Sequence, residues 1–351
     1  MCPFCGGAFP HSELPAHSPQ CPKLAAILSG GSSAGATGGG GSGSSSPVQC
    51  PFCSATFSLA ELAAHSPCPK LPSRFAGGSA PMHVLLGGFK ETDDALVPCQ
   101  RAALDYVHSQ SRVSSAAAMA PLKARFAALG EEGLLERTLA YVRDRAPIII
   151  HFTPEVFHLL ATDTHYRSQF ETGTSKGSLS RQSREQWEKT LFNGAYTGAP
   201  DAERPKYGCL NMSGDTRGVV SAHHYGVLFM MLKDSCRSRC TFTSADSGQL
   251  AVQGAAAGGV KELSTCEHYA HILSKYSDDE LRRIVAVAAK GASVSGMAGA
   301  AGSVYKECQV HGPVRLGVDI GAVVIPEAYR AQCQADSNTF ASKHGVSILW
   351  V

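Results

Sequence analysis

Apolar residues recur three and four positions apart from Thr92 to Gly130 and from Glu131 to Arg145, in stretches rich in Ala, Leu, Arg and Glu. That spacing lines one face of a helix, so both segments are expected to be mainly helical. At "APIIIHFTPEVFHLL" the texture changes to short apolar runs broken by Gly, Asn, Asp and Pro: "YGCLNM", "YGVLFMML", "RCTFTSA", "YKECQVHGPVRL" and "GAVVIP". Runs of this length between turn formers predict strands. "DDELRRIVAVAAK" predicts a late helix, and the Ala and Gly run at 292–302 predicts a loop. The expected fold class is therefore α+β. If the chain is extended at 307, its period of two puts Glu307, Gln309 and His311 on one face, opposite Cys308 and Val310. Three polar side chains on a shared face point to a site more than to a core.

The first ninety residues follow a different logic. "CPFCGGAFPHSELPAHSPQCP" at 2–22 returns as "CPFCSATFSLAELAAHSPCP" at 50–69. The copies place Cys2, Cys5, His17 and Cys21, then Cys50, Cys53, His65 and Cys68, in C-x2-C-x11-H-x3-C and C-x2-C-x11-H-x2-C spacing. Three thiolates and one imidazole make a closed tetrahedral donor set that suits a structural zinc ion. "SLAE" at Ser58 to Glu61 is a capping box that opens a short helix leading to His65. Units this small have no core without metal, so folding and zinc binding are expected to be one event. From Ser29 to Pro47 the chain is almost wholly Gly, Ser and Ala, a composition that cannot bury enough apolar surface to order itself. The expected organisation is a finger at 1–24, a linker at 25–48, a finger at 49–70, a linker at 71–90 and a large domain at 91–351.

Charge and cysteine usage narrow the function classes. A net charge of +2 over 351 residues gives no strong field toward nucleic acid or an anionic membrane. Neither finger has a Lys or Arg between its first and last cysteine, so phosphate and base contacts, and with them nucleic-acid binding, are not expected. No apolar run reaches the roughly 18 residues of a membrane span, and no basic leader with an apolar stretch is seen at the start. Thirteen cysteines in such a chain fit a reducing interior, cytoplasm or nucleus, where close cysteines hold metal more often than they form disulfides.

The finger spacing resembles the ubiquitin-binding zinc finger of DNA-repair ligases and translesion polymerases, over about twenty residues per copy. It departs from that pattern at Pro19 and Pro67, which stand where those fingers usually carry an acidic residue. The resemblance implies a protein partner, with ubiquitin the candidate, and two weak sites on a tether gain avidity for a polymeric one.

In the large domain, "HFTPE" at 151, "YRSQFETGTSKG" at 166, "LFNGAYTGAPDAERPKYGCLNM" at 191, "RCTFTSADS" at 239 and "YKECQVHGPVRLGVDI" at 305 resemble an uncharacterised, mainly bacterial family. A looser likeness is to the ADP-ribosyltransferase fold of the poly-ADP-ribose polymerase branch. There a His on a first strand, a Tyr on a second and a Glu starting a late strand form one set; His151, Tyr207 and Glu307 stand in that order here. The likeness implies NAD as co-substrate and those three residues as catalytic. Cleaving the nicotinamide glycosidic bond passes through an oxocarbenium-like state, which a carboxylate such as Glu307 can stabilise while holding a ribose hydroxyl. His151 would hydrogen-bond the ribose and Tyr207 would stack on the nicotinamide. The sequence departs from the two likenesses at Phe152, where the polymerase-like branch has Gly, and at Thr153, where the bacterial family has a second His.

Further polar residues carry two readings each. Arg167 and Ser168, with Gln169, Glu171 and Thr172, either close over a nucleotide or form a solvated loop. Lys206 and Arg204 beside Tyr207 either meet the pyrophosphate or are plain surface. With Gln309 and His311, the residues Arg167, Ser168 and Lys206 make up the candidate cofactor-binding set. His268 and His271, at i, i+3 spacing, are expected on a surface helix rather than at a metal. No G-x-S-x-G elbow and no correctly placed Rossmann glycines are present. The expectation is a finger-tethered, NAD-using ADP-ribosyltransferase-like protein; the alternative is a non-catalytic adaptor or ubiquitin reader whose large domain only binds.

Overall fold

The computed structural model describes Val48–Gln49, Thr56–Phe57 and residues 96–175, 180–290 and 305–351. The chain divides into two compact units, Met1–Ala64 and His65–Val351. In the first, strands β1 (Val48–Gln49) and β2 (Thr56–Phe57) pair antiparallel, Val48 opposite Phe57. All eight proposed zinc ligands, the linkers apart from Val48, and the loop expected at 292–302 lie outside the described residues.

The second unit opens with the two expected helices, α1 (Pro98–Ala128) and α2 (Leu135–Asp144). Pro98 sits in the first turn of α1, where its missing N–H is not needed. Then follow β3 (Ile148–Phe152), α3 (Pro154–Thr162), β4 (His165–Tyr166), α4 (Gln169–Thr172), α5 (Arg181–Leu191), β5 (Lys206–Leu210), β6 (Leu228–Leu232) and β7 (Cys240–Thr243). The rest is α6 (Ser247–Ala256), β8 (Leu263–Thr265), α7 (Ala270–Leu273), α8 (Asp278–Lys290), β9 (Glu307–Val310), β10 (Val314–Arg315), α9 (Leu316–Asp319), β11 (Ile320–Ile325), α10 (Arg330–His344) and β12 (Ser347–Trp350). Eight strands form one sheet in the order β12-β11-β6-β3-β5-β9-β7-β8, antiparallel except for β11 with β12. Mixed α/β architecture around one large sheet agrees with the α+β class read from the sequence.

Period-two alternation sorts the strands into two faces. On one, Ile148, Ile150, Phe152, Leu210, Met230, Phe242, Cys308 and Val310 join the main core with residues of α1, α2, α3, α8 and α10. On the other, Ile149, Cys209, Phe229, Met231, Ala322 and Val324 make a smaller apolar cluster, which becomes polar toward β9 and β7. The register pairs Ile149 with Cys209, Cys209 with Glu307, Tyr207 with Gln309 and Gln309 with Thr241. These residues, with His151 two positions beyond Ile149, therefore share the second face.

Gly208 lets β3 and β5 meet. A Cβ there would stand 2.5 Å from the Ile149 carbonyl oxygen and 3.0 Å from Ile150 Cγ1, so backbone as well as side chain would have to shift. Gly208→Ala is expected to lower stability by about 2–3 kcal/mol, seen as a lower urea midpoint. An unchanged midpoint would show that the strands can spread freely.

Candidate functional site

Three neighbouring strands bring His151, Tyr207 and Glu307 to the same face: β3 carries the first, β5 the second and β9 the third. His151 is 6% exposed, Glu307 5% exposed, and Tyr207 half-buried between them.

Each is held by its own contacts. The Val219 N–H donates to His151 Nε2 at 3.0 Å, and His223 and Phe229 pack on the ring with centroids 5.4 and 5.5 Å away. Gly218 fits beneath it with φ +75°; a Cβ there would lie 2.6 Å from His151 Cε1. Tyr207 donates its hydroxyl to Glu188 Oε1 on α5 at 3.2 Å. Glu188 Oε2 takes a 2.6 Å bond from Arg204 Nη1, with the two side chains 1% and 4% exposed.

Glu307 ends a chain of buried hydrogen bonds. Tyr196 Oη and His311 Nδ1 are 2.6 Å apart, and His311 Nε2 and Thr241 Oγ1 are 3.0 Å apart. Thr241 donates to Gln309 Oε1 at 2.9 Å, and Gln309 Nε2 donates to Glu307 Oε1 at 3.0 Å. Because Thr241 spends its proton on Gln309, it can only accept from His311 Nε2–H, so Nδ1 accepts from Tyr196. Each member thus fixes the next, and Gln309 orients the carboxylate. The other oxygen of Glu307 faces the Ser247 N–H at 3.5 Å, at the start of α6. Asp246 is nearby; Tyr305 donates to its carboxylate at 2.8 Å, and the hydroxyls of Tyr225 and Tyr305 lie 3.3 Å apart.

Burial dominates the electrostatics. It pushes the Glu307 carboxyl up to about 7, with Asp246 adding to the rise and the Ser247 and Gln309 hydrogen bonds opposing it. Glu188 is also raised to about 7 by burial, against the pull of Arg204 and Tyr207. Burial lowers His151 to about 3, helped by neighbouring His223, and lowers His311 to about 3, helped by Arg239.

These shifts have opposite signs in stability. The folded imidazoles refuse protons that the unfolded chain binds below its ordinary 6.5, so they make stability fall as pH drops from 6.5 toward 3. The folded carboxyls keep protons that the unfolded chain releases above 4.5, so they make stability fall as pH rises from 4.5 toward 7. Two groups of each kind oppose one another between 4.5 and 6.5, so their joint contribution is nearly level there. Burial also lowers the pKa values of His224, His271 and His344, so the whole protein is expected to lose stability as pH falls from 6.5, and more steeply below 4.5, measured by urea unfolding. Stability that rises as pH falls through this interval would contradict the assignment.

The remaining sequence candidates fall elsewhere. Lys206 projects from the opposite face of β5, buried, and its ammonium donates to the Ala202 and Arg204 carbonyls at 2.6 and 3.0 Å. Arg167 pairs with Asp163 at 2.6 Å, and Ser168 caps α4 by accepting the Glu171 N–H. His311 does share the face, but it is fully buried and both ring nitrogens are engaged within the chain described above. His268 and His271 do not form a surface helix: His268 precedes α7, and His271 is buried with Nε2 2.9 Å from the Leu263 carbonyl. A hollow of about 720 Å³ lies along α5, lined by Arg181, Glu185, Trp187, Lys189, Tyr196 and Arg204 among others, and not by the His151, Tyr207 and Glu307 side chains. Glu188, Asp246, Thr241 and Tyr305 have no signal of their own in the sequence: Glu188 lies in a polar helix, and Thr241 and Tyr305 lie in expected strands whose distant partners no local pattern gives.

Residues 147–351 match the family described as Protein of unknown function (DUF3626). The chain belongs to that family. The DUF3626 domain thus begins just before β3 and holds the whole eight-stranded sheet, while α1 and α2 precede it. No curated protein matches the chain. Among the described residues no helix is long and apolar enough to cross a membrane.

Proposed function

We propose that the DUF3626 domain is an ADP-ribosyltransferase-like module that binds NAD and cleaves its nicotinamide glycosidic bond. The observation that carries this reading is the meeting of an imidazole, a phenol and a carboxylate on one face of three neighbouring strands, β3, β5 and β9. Glu307, held by Gln309, would accept a ribose hydroxyl and stabilise positive charge developing on the sugar. His151 would orient the ribose, and Tyr207 would lie against the nicotinamide ring. The 218–226 segment covers His151, so entry of a dinucleotide requires it to move; Gly218 and Gly226, both at positive φ, bracket it as hinge points.

The first seventy residues would supply two zinc sites in this reading, Cys2, Cys5, His17 and Cys21 in one and Cys50, Cys53, His65 and Cys68 in the other. The chemistry of the donor sets supports it. These fingers would recruit a protein partner, ubiquitin being the class their spacing favours, inside the cytoplasm or nucleus.

A binding-only adaptor is the second reading. It is favoured by the internal partners of the three residues, with His151 Nε2 taken by Val219 and the Tyr207 hydroxyl by Glu188. Incubating the full chain with NAD labelled in the nicotinamide separates the two. Released nicotinamide supports the transferase; retained but intact NAD supports the binding module; neither release nor retention at millimolar NAD removes both nucleotide readings.

A further inference from the structure

Away from the sheet face just described, α1 and the turn after β8 bring two imidazoles and a carboxylate together. His108 Nε2 lies 3.4 Å from Glu267 Oε2, the His108 and His268 rings meet edge to face with centroids 4.8 Å apart, and the three donor atoms all lie within 4.8 Å of one another. We propose that His108, Glu267 and His268 form a third metal site, which takes a divalent zinc-class cation with a fourth position open to water.

The donor set argues for this class of ion. Two imidazole nitrogens and one carboxylate oxygen suit zinc and its neighbours, and three protein ligands leave one tetrahedral position for water. Ligand atoms around such an ion stand about 3.3 Å apart, so the present spacing has to close by at most about 1.5 Å. His108 and Glu267 are half or more exposed and can make that adjustment by side-chain rotation alone.

The backbones that carry the ligands are already fixed against each other. Ser115 Oγ on α1 accepts the Ala270 N–H at 3.1 Å, two residues beyond His268. Arg125, further along α1, donates to the Ser274 and Tyr276 carbonyls at 2.8 and 2.7 Å. The His268 carbonyl accepts from Ser264 Oγ at 2.9 Å, and its N–H donates to the Thr265 carbonyl at 3.3 Å. The ion would therefore select among rotamers rather than reorganise a loop. Arg112 is the cationic neighbour that opposes the ion, and Glu267 offsets it.

The consequence is structural. α1 lies outside the DUF3626 match, whereas Glu267 and His268 lie inside it. A shared ion clips the preceding helix to the family domain and stabilises the folded state in proportion to its affinity. The inference does not depend on any reaction at the sheet face.

Cobalt(II) titration of the metal-stripped, reduced full chain tests it. Cysteine-ligated cobalt gives intense thiolate charge-transfer absorption, whereas a site of two imidazoles and a carboxylate gives only weaker visible bands. The expected result is one equivalent of cobalt that adds no thiolate absorption and raises the unfolding temperature. In His108→Ala, His268→Ala and Glu267→Gln, that equivalent should bind at least about tenfold more weakly while thiolate-linked equivalents stay as they were. Circular dichroism on the same samples checks that each variant remains folded; these are solvent-accessible or partly buried positions, and three independent variants guard against a single misfolded one. Equal stoichiometry and affinity in all three folded variants, or no sulfur-free equivalent in the parent chain, would overturn the site.

Discussion

Replacing Arg204 by methionine is expected to lower folding stability at pH 7.5 by about 3–5 kcal/mol. Arg204 and Glu188 are almost fully buried and joined at 2.6 Å, and the guanidinium also stacks 4.2 Å over the Phe170 ring. Methionine keeps much of the apolar packing but leaves the Glu188 carboxylate with the Tyr207 hydroxyl and the weaker pull of Arg184. A carboxylate in that position cannot regain the solvation it lost, and burial is already the largest influence on its pKa. Removing the cation should push Glu188 above its present value of about 7, so that it folds as the neutral acid. Because Glu188 at about 7 is only partly ionised at pH 7.5, the loss should be about 0.8 kcal/mol larger there than at pH 5.5, the rest being independent of pH. Glu188→Gln combined with Arg204→Met should recover most of the stability, since no buried charge remains. Urea unfolding of the three chains at both pH values reads all of this. An equal loss at the two pH values, with no recovery in the double variant, would mean that the lost contacts of Arg204 matter more than the charge of Glu188.

The same pair shows why part of the site could be read in the sequence and part could not. Glu307, Gln309 and His311 were placed on one face by a local property, the period of two in an extended segment, and the structure keeps them there. Strands β3, β5, β6, β7 and β9 were legible for the same reason, as apolar runs between turn formers. Glu188 lies in "RQSREQWEKTL", where many polar residues mark no buried position; Arg204 and Tyr207, from the turn before β5 and from β5, come over it. The fate of His311 also depends on distant groups, Tyr196 and Thr241, which turn a possible ligand-binding ring into an internal link. Lys206 fails as a neighbour of Tyr207 on the face by the rule that succeeded for Glu307, since adjacent residues of a strand point to opposite sides. His108 and His268 meet through the packing of α1 against α7 and β8, which no local spacing announces.

Glu307→Gln is expected to reduce nicotinamide release from NAD by at least about 100-fold while lowering stability by no more than about 1 kcal/mol. The two effects separate because the substitution keeps the size of the side chain and removes only its ability to become an anion. Folding already favours the neutral acid here, as the rise of its pKa to about 7 requires, so a neutral amide is no worse solvated than the group it replaces. Catalysis in the proposed reaction needs the opposite state, a carboxylate facing developing positive charge on the ribose, which an amide cannot provide. The amide also turns one donor toward either Gln309 Nε2 or the Ser247 N–H, both of which now face an accepting oxygen, and this accounts for the small stability allowance. In the proposed reaction the parent chain should in addition gain activity as pH rises through about 7, the range in which Glu307 ionises, and the residual activity of the variant should lack that rise. Thr241→Val offers an independent check, because it breaks the chain that orients Gln309 without touching the carboxylate. It should slow release less than Glu307→Gln does and leave the pH dependence in place. If Glu307→Gln released nicotinamide at the parent rate with the same pH profile, Glu307 would have no part in the chemistry, and its burial between Gln309 and Ser247 would be a matter of folding alone.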